Sequence, residues 1–316
     1  LPMDKRTFMD WAHAPRLQQH IHDANREENE WAMKRVRAVM EEYDERLAFG
    51  EFSERQEMLG LYAGGLERLH TGYTFHFLED WSFEPPVFRA YYAELLAPLV
   101  DLFPCVTFSN HDIVRPVTRW GGGQGDDALA KLALTILVAL KGTVLMYQGE
   151  ELGLPEVDLD RQYIKDPVGD LYFPWVKGRD GCRTPMPWEA KSDGAGFTTG
   201  TPWLPIPDYH KVRAADVQAG DGNSVLAHAK KVVALRKAHP ALKFGDIRFL
   251  DTEGKVLAFT REGDGERLLC VFNLGTEVVS YALPDGAGET VFELGEVKRE
   301  GNSLSLAART GAILHA

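Results

Sequence analysis

The sequence predicts an α/β protein that contains the C-terminal half of a (β/α)8 TIM barrel followed by an antiparallel β-sandwich. Three observations support this fold class. Short apolar strands alternate with amphipathic helical segments over residues 26–153. Polar clusters that include a carboxylate close these strands, which is typical of the functional edge of a parallel sheet. From residue 247 onward, short strands separated by Gly and Asp turns replace the alternation and indicate a second, antiparallel domain.

The barrel part follows from the order of its elements. Apolar residues at helical spacing predict a surface helix over residues 26–43, and the strand 46–50 ends directly before Glu51. A helix after Glu51 is expected, with Ser53 as its cap. The strand–helix unit then repeats through a strand around Phe75, a helix over 86–103, the strand CVTFSNHD, a helix over 126–141 and the strand TVLMYQGEE. Four units make half of an eight-fold barrel, and the other half is expected before Leu1.

The alternation is interrupted by a long excursion after the last barrel strand. Residues 154–223 form a stretch of about 70 residues rich in Pro, Gly, Trp and Asp, much longer than an ordinary connection. Such a segment is usually functional. A helix over 224–238 would complete the fourth unit. We therefore expect residues 1–240 to be barrel and residues 241–316 to be the β-sandwich.

Composition narrows the class of partner. The net charge of −12 and the pI near 5.3 argue against nucleic acid and anionic membranes, which attract clustered Lys and Arg, so a small neutral ligand is the better fit. The longest apolar stretch, residues 132–140, is far shorter than the roughly 20 residues of a membrane span. The first residues of the chain have no features of a signal peptide.

The cysteines indicate neither a disulfide framework nor a metal site. Cys105, Cys182 and Cys270 are odd in number, far apart in sequence and without the spacing of metal ligands. We expect them to be packing residues, and no cofactor or metal is predicted. Their number favours a reducing compartment, so a cytoplasmic location is expected.

Two strand ends carry the residue types of a catalytic site. Glu51 follows an apolar strand end, and the segment Asn110, His111 and Asp112 closes the strand CVTFSNHD. A carboxylic acid and a group of hydrogen-bond donors at one barrel rim are suited to acid–base chemistry. The residues alone also fit a solvated helix cap at Glu51 and an ordinary turn at Asn110 and Asp112.

Longer motifs decide between these interpretations. The strings LAFGE, FSNHDIVRPVTRWG, GTVLMYQGEELGLPEVDL and GRDGCRTPMPWE occur in this order over residues 47–189. Together they resemble glycoside hydrolase family 13, the α-amylase family, and within it the oligo-1,6-glucosidase and α-glucosidase group. The resemblance implies a retaining α-glucosidase that cleaves short oligosaccharides from the non-reducing end.

The resemblance also implies roles for individual residues. Glu51 matches the general acid/base, and Asp112 matches the carboxylate that stabilises the transition state. His111 and Arg179 match side chains that bind the non-reducing glucose, and Phe77 matches an aromatic platform beside the scissile bond.

Several of these positions have a structural alternative. Phe77 fits a core residue equally well, and Arg179 has Asp180 as a possible ion-pair partner at the surface. Glu150 and Glu151, which end the last barrel strand, are expected to hydrogen-bond neighbouring loops.

The nucleophile of the family is not found in this chain. It is an Asp in a motif resembling GFRLD, and no such string occurs here. The resemblance places it before Leu1, so the chain is expected to be inactive by itself. Two other functions remain open. One is a glucosyl transferase, or a sucrose or trehalose isomerase, of the same family. The other is a non-catalytic carbohydrate-binding protein. The sequence does not predict the oligomeric state.

Overall fold

The computed structural model describes residue 22 and residues 25–53, 56–96, 102–121 and 125–316 of the chain. Two expectations from the sequence lie outside these residues. One is the absence of a leader sequence at the beginning of the chain. The other is part of the helix predicted over 86–103: the chain is helical as far as residue 96, residues 97–101 lie outside the described ranges, and residues 102 and 103 are not helical, so the predicted end at 103 is wrong.

The barrel part alternates helices with short strands in the predicted order. Helix α1 spans Glu27–Met40, strand β1 spans Phe49–Phe52, helix α2 spans Gln56–Tyr62 and strand β2 spans Thr71–Thr74. The next elements are α3 His76–Glu79, α4 Pro85–Leu96, β3 Cys105–Val106, α5 Pro116–Gly121, α6 Asp127–Ala139 and β4 Thr143–Val144.

Helix α6 is the central helix of this part. Its N-cap is Asp126, whose carboxylate accepts a hydrogen bond from the Leu129 backbone N–H at 2.9 Å. Every residue from Leu132 to Ala139 is buried. The helix is therefore buried on all sides over this stretch, which explains the nearly continuous apolar run in the sequence.

The barrel strands are parallel where they pair. Strand β1 pairs with β2, with Glu51 opposite Tyr73, and β3 pairs with β4. The Thr71 hydroxyl donates to the Phe103 carbonyl at 2.7 Å, which ties β2 to the segment that enters β3. Because the strands run in one direction, the residues at and after their carboxyl ends meet on one rim.

Two strand predictions need correction. Glu51 lies inside β1 because the pairing with β2 continues to Phe52, so it does not follow the strand. The predicted strands CVTFSNHD and TVLMYQGEE are extended and paired only over two residues each, in β3 and β4. Their polar ends leave the ladder and form turns, which frees the side chains for other contacts.

The long excursion contains short helices and turns. Tight 3-10 turns occur at Glu150–Leu152, Arg161–Tyr163 and Asp180–Cys182, and the helices are α7 Pro167–Tyr172, α8 Asp208–Lys211 and α9 Ala215–Ala219. Helix α10 then spans Val225–Ala238, and helix α11 spans Pro240–Phe244. The Ser224 hydroxyl caps α10 by accepting from the Ala227 backbone N–H at 3.1 Å, at the residue where the sequence predicts this helix to begin.

The C-terminal part is all antiparallel strands. They are β5 Asp246–Phe249, β6 Val256–Gly263, β7 Glu266–Asn273, β8 Val279–Ala282, β9 Thr290–Leu294, β10 Val297–Glu300, β11 Ser303–Leu306 and β12 Gly311–His315. A five-stranded sheet has the order β5-β6-β7-β12-β9, and a three-stranded sheet has the order β10-β11-β8. The predicted antiparallel sheet domain is confirmed.

The two parts share one hydrophobic core. A single cluster of buried residues includes Tyr92 and Leu137 from the barrel helices and Phe259, Phe272 and Ile313 from the five-stranded sheet. The opposite face of that sheet packs on the three-stranded sheet in a separate core. One face of the five-stranded sheet therefore packs against the helices of the barrel part.

Arg261 of β6 reinforces this junction. Its guanidinium is buried and donates to the Ala139 carbonyl at the end of α6 at 2.5 Å and to the Gly245 carbonyl at 2.8 Å. Arg261 thus provides a hydrogen-bond donor to one of the terminal carbonyls of helix α6.

Two further features concern the class of protein. Within the described ranges, the structure contains no helix that is both long enough and apolar enough to cross a membrane. All three cysteines are free and buried.

Candidate active site

Glu51 is held at the edge of the barrel by two donors. Its Oε1 atom accepts from the Tyr73 hydroxyl at 2.6 Å and from the Asn110 amide nitrogen at 2.8 Å. Burial and the hydrogen bond to Glu51 raise the pKa of Tyr73, so that its hydroxyl stays protonated and remains a donor. Glu51 itself is exposed, as is Phe49 in the same strand. The apolar strand end expected around Glu51 is therefore open to solvent in this chain.

Asn110 joins Glu51 to Asp112. While its amide nitrogen donates to Glu51, its Oδ1 atom accepts the backbone N–H of Asp112 at 2.9 Å. Asn110 is buried, so the surrounding protein restricts the position of its side chain. The structure thus brings together the two carboxylates that the sequence selected, through one amide side chain.

Asp112 is surrounded by cationic donors. Its Oδ1 atom accepts from Arg179 Nη1 at 3.1 Å and from Arg183 Nη2 at 2.7 Å. His111 Nε2 lies 3.4 Å from the same oxygen. Three of the predicted site residues, His111, Asp112 and Arg179, are therefore in direct contact.

Arg179 is anchored by a second carboxylate. Asp166, whose side chain is fully buried, accepts from Arg179 Nε at 2.8 Å, from Arg179 Nη2 at 3.1 Å and from the Arg179 backbone N–H at 2.8 Å. This pairing lowers the pKa of Asp166 and raises the pKa of Arg179. Asp180 does not pair with Arg179, because its carboxylate accepts instead from the backbone N–H groups of Lys165 and Asp166.

Phe77 is not at the site surface. It lies in helix α3, only 2% exposed, and its ring packs against Tyr91 at 4.4 Å, Phe88 at 5.3 Å and Phe108 at 5.3 Å between centroids. The chain turns into a helix at His76, which directs this side chain into the core. The interpretation as a substrate platform needs correction, since the ring has no open face here. Phe75, two positions earlier, is half-buried and stands edge-on to Tyr73.

Glu150 hydrogen-bonds to a neighbouring segment, as expected, whereas Glu151 hydrogen-bonds to the backbone of its own turn. Glu151 accepts the Gly149 backbone N–H at 2.7 Å, and Glu150 Oε1 accepts from the Ser109 hydroxyl. Burial raises the pKa of Glu150 to about 7. Glu150 thus lies below the segment that carries Asp112.

Sequence reasoning missed the arginines that hold this rim together. Buried Arg115 donates to the carbonyls of Gln148 and Cys182, both at 2.8 Å. Arg119 donates to the carbonyls of Phe77 and Phe108 at 3.0 and 2.7 Å. A signal was present, because a charged residue inside an otherwise apolar motif such as IVRPVTRWG must find partners when it is buried.

The arrangement is suited to acid–base chemistry on an uncharged ligand. Glu51 offers an accessible carboxyl group, Asp112 offers a carboxylate oriented by two guanidinium groups, and His111 adds an exposed ring nitrogen. Among the described residues, no group of three or more His, Cys, Asp or Glu side chains is arranged to hold a metal ion.

Both parts of the chain are similar to known proteins. The family model described as the alpha amylase catalytic domain matches residues 3–245, and that of the maltogenic amylase C-terminal domain matches residues 247–307. A probable alpha-glucosidase of Rhizobium meliloti (strain 1021) is 45% identical over 271 residues, which cover 84% of this chain and 49% of that protein. An oligo-1,6-glucosidase of Parageobacillus thermoglucosidasius is 33% identical over 197 residues, covering 56% of this chain and 35% of that protein.

A solved structure agrees with the fold. The crystal structure of an alpha-glucosyl transfer enzyme, XgtA, superposes with a TM-score of 0.88 at 37% identity, covering 95% of this chain and 56% of that chain. The chain thus spans about half the length of the relatives it matches. Because the catalytic-domain model matches most of the chain, the resemblance inferred from the four motifs is confirmed, and the chain belongs to the α-amylase family of glycoside hydrolases, family 13.

Proposed function

We propose that this chain supplies the acid/base and the transition-state carboxylate of a retaining α-glucosidase that acts on short oligosaccharides from the non-reducing end. The observation that carries the proposal is the Asn110 amide, which contacts Glu51 with its nitrogen and the Asp112 backbone with its oxygen. Cleavage of a glycosidic bond needs the acid and the carboxylate that stabilises the developing positive charge to be held in fixed positions around the sugar ring.

Glu51 is the proposed general acid/base. Both described donors bind Oε1, and no described residue donates a hydrogen bond to Oε2. That oxygen is free to give a proton to the leaving oxygen and to take one from water in the second step. The exposure of Glu51 leaves room for the sugar that departs.

Asp112, His111 and Arg179 are the proposed contacts of the glucose ring. Asp112 Oδ1 is occupied by arginine donors, which leaves Oδ2 for sugar hydroxyls that become more polar as positive charge develops on the ring. His111 is the exposed donor beside it. The buried Asp166 prevents Arg179 from swinging away from the ring.

The nucleophile is proposed to come from outside this chain. Retention requires a carboxylate about 5 to 5.5 Å from the acid, on the opposite side of the bond. No GFRLD-like string is present. We therefore expect the chain alone to be inactive, and activity to appear when the N-terminal half of the barrel is present.

The test is a comparison of p-nitrophenyl α-glucoside hydrolysis by the chain alone and by the chain combined with that N-terminal half. The combined protein should turn over, and Glu51→Gln or Asp112→Asn in it should lower kcat by about 100-fold or more. Robust turnover by the chain alone would contradict the placement of the nucleophile. Unchanged activity of both variants would contradict the assigned roles.

A glucosyl transferase is the second candidate, and the similarity to an alpha-glucosyl transfer enzyme favours it. A transferase and a hydrolase share the proposed carboxylates and differ in whether water or a sugar attacks the intermediate. Product analysis with maltose and with sucrose separates hydrolysis from transfer and isomerisation. Binding of maltose without turnover by the combined protein would instead favour a non-catalytic carbohydrate-binding protein.

Two further expectations complete the proposal. A domain boundary between residues 240 and 241 would fall within helix α11, directly after its first residue, Pro240. A cytoplasmic location is supported by the three free cysteines.

A further inference from the structure

Arg183 contacts Asp112 but is not among the proposed contacts of the glucose ring. It lies in the RTPMPW string, on the exit side of the 3-10 turn at Asp180–Cys182, whereas Arg179 lies on the entry side. Its Nη2 atom donates to Asp112 Oδ1 at 2.7 Å, and its Nε atom donates to the His111 carbonyl at 2.6 Å. One guanidinium therefore grips both the carboxylate and the backbone of the preceding residue.

Arg179 does not provide the same restraint. Two of its guanidinium nitrogens are committed to Asp166, and its single contact with Asp112 is longer, at 3.1 Å. Its side chain is also more exposed than that of Arg183, at 40% against 21%. Arg179 is thus the more accessible of the two arginines, and Arg183 is the more enclosed.

The position of Arg183 is fixed from the protein interior. Its backbone N–H donates to the Asp180 carbonyl at 3.0 Å, and the carbonyl of Cys182 accepts from buried Arg115 at 2.8 Å. A side chain that starts from a fixed backbone loses little further freedom when it binds its two acceptors. The turn is therefore a rigid base from which Arg183 reaches the Asp112 segment.

We propose that Arg183 is a positioning residue that orients Asp112, by holding Oδ1 and the His111 carbonyl so that Oδ2 faces the glucose ring. This inference rests on the proposed function of Asp112 as the transition-state carboxylate. A fork of two N–H donors on a planar group suits this task, and a lysine ammonium reaches only one acceptor well.

The kinetic test uses the full-length enzyme that contains both barrel halves, with p-nitrophenyl α-glucoside as substrate. Arg183→Ala should lower kcat by about 100-fold, since misplacement of a reacting group by an ångström costs about that factor. The KM should change by less than about threefold, because the lost orientation acts in the transition state. Arg183→Lys should lose about 10-fold. Millimolar guanidinium should restore the Ala variant, whereas the neutral isostere urea should not.

Arg161→Ala is the matched control in the same excursion. Arg161 is a surface arginine, 3.7 Å from Asp170, and its loss should leave kcat within about twofold. A kcat of Arg183→Ala within twofold of the wild type would overturn the proposal. So would a raised KM at unchanged kcat, which would make Arg183 a binding residue only.

A crystal structure of the Arg183→Ala protein separates this inference from the proposed function. Asp112 should have turned away from its wild-type position, while Asp166 and Arg179 remain paired. If the wild-type enzyme has no α-glucosidase activity, the proposed function fails, and the position of Asp112 alone then decides the role of Arg183. Asp112 unmoved in the variant would overturn that role.

Discussion

Glu150→Gln tests the buried carboxyl group below the site. Glu150 Oε1 accepts from the Ser109 hydroxyl, whereas Oε2 is buried and has no hydrogen-bond partner among the described residues. The residue as a whole is only half-buried, yet its unpartnered oxygen is not accessible to solvent. Desolvation therefore dominates and raises the pKa from 4.5 to about 7.

The sign and size of the effect follow from linkage. A carboxyl group whose pKa is higher in the folded than in the unfolded state stabilises the fold fully below pH 4.5, and this stability is lost as the pH rises to about 7. At about 1.4 kcal/mol for each tenfold change in proton affinity, the complete loss is about 3 kcal/mol. Glutamine keeps the shape and the acceptor for Ser109 but never ionises. The variant should exceed the wild type in unfolding free energy by about 1 kcal/mol near pH 5 and about 3 kcal/mol near pH 8.

Urea unfolding followed by circular dichroism measures this difference. Subtracting the wild type at each pH removes the contributions of other titrating groups, including Glu156, whose pKa burial also raises to about 7. Glu300→Gln in the exposed strand β10 is the control and should change stability by less than about 0.5 kcal/mol at both pH values. A Glu150→Gln variant whose advantage does not grow between pH 5 and pH 8 would refute the reasoning.

Three further predictions concern the same chain. Asn273→Ala should lower the unfolding free energy measured by urea unfolding by about 3 kcal/mol, because the buried amide donates to three backbone carbonyls and accepts from one backbone N–H. A loss below about 1 kcal/mol would contradict this. Burial lowers the pKa of His210 from 6.5 to about 4, so the folded state disfavours the protonated ring and the wild type loses about 3 kcal/mol of unfolding free energy from pH 7 to pH 4. Because glutamine does not titrate, the amount by which His210→Gln is less stable than the wild type should shrink by about 3 kcal/mol over this range in the same assay. Burial raises the thiol pKa to about 11 for Cys105 and about 12 for Cys182 and Cys270. A disulfide reagent should therefore label none of these thiols in the folded chain and all three in urea. Labelling of the folded chain would contradict their burial.

The order of the elements was predictable because periodicity and turn residues are local signals. The strand VLAFTRE became β6, and RLLCVFNL became β7, since each contains a run of consecutive apolar residues, VLAF and LLCVF, which suits strands that are buried on both faces. Helix α6 was predicted for the same local reason. The lengths of β3 and β4 were not predictable, because a strand ends where its neighbour stops pairing, and the neighbour is distant in sequence.

The candidate site was predicted in part. The motifs selected Glu51 and Asp112, and the structure links both to Asn110. The sequence left Phe77 open between a core residue and a platform, because strand alternation cannot reveal the turn into helix α3 that places its side chain in the core. Arg183 was missed because its partner Asp112 is 71 residues away, and a contact of that range leaves no local pattern.

Arg261 and the core shared by the two parts limit where this protein can be joined to a relative in a chimera. A breakpoint at the domain junction would separate the guanidinium from the Ala139 carbonyl and would cut through one continuous set of packed side chains. A chimera that exchanges the C-terminal sheet should therefore carry helix α6 with it, so that the helix end and its arginine come from the same parent. Helix α6 and the five-stranded sheet should therefore be exchanged together, because neither packs independently of the other in this protein.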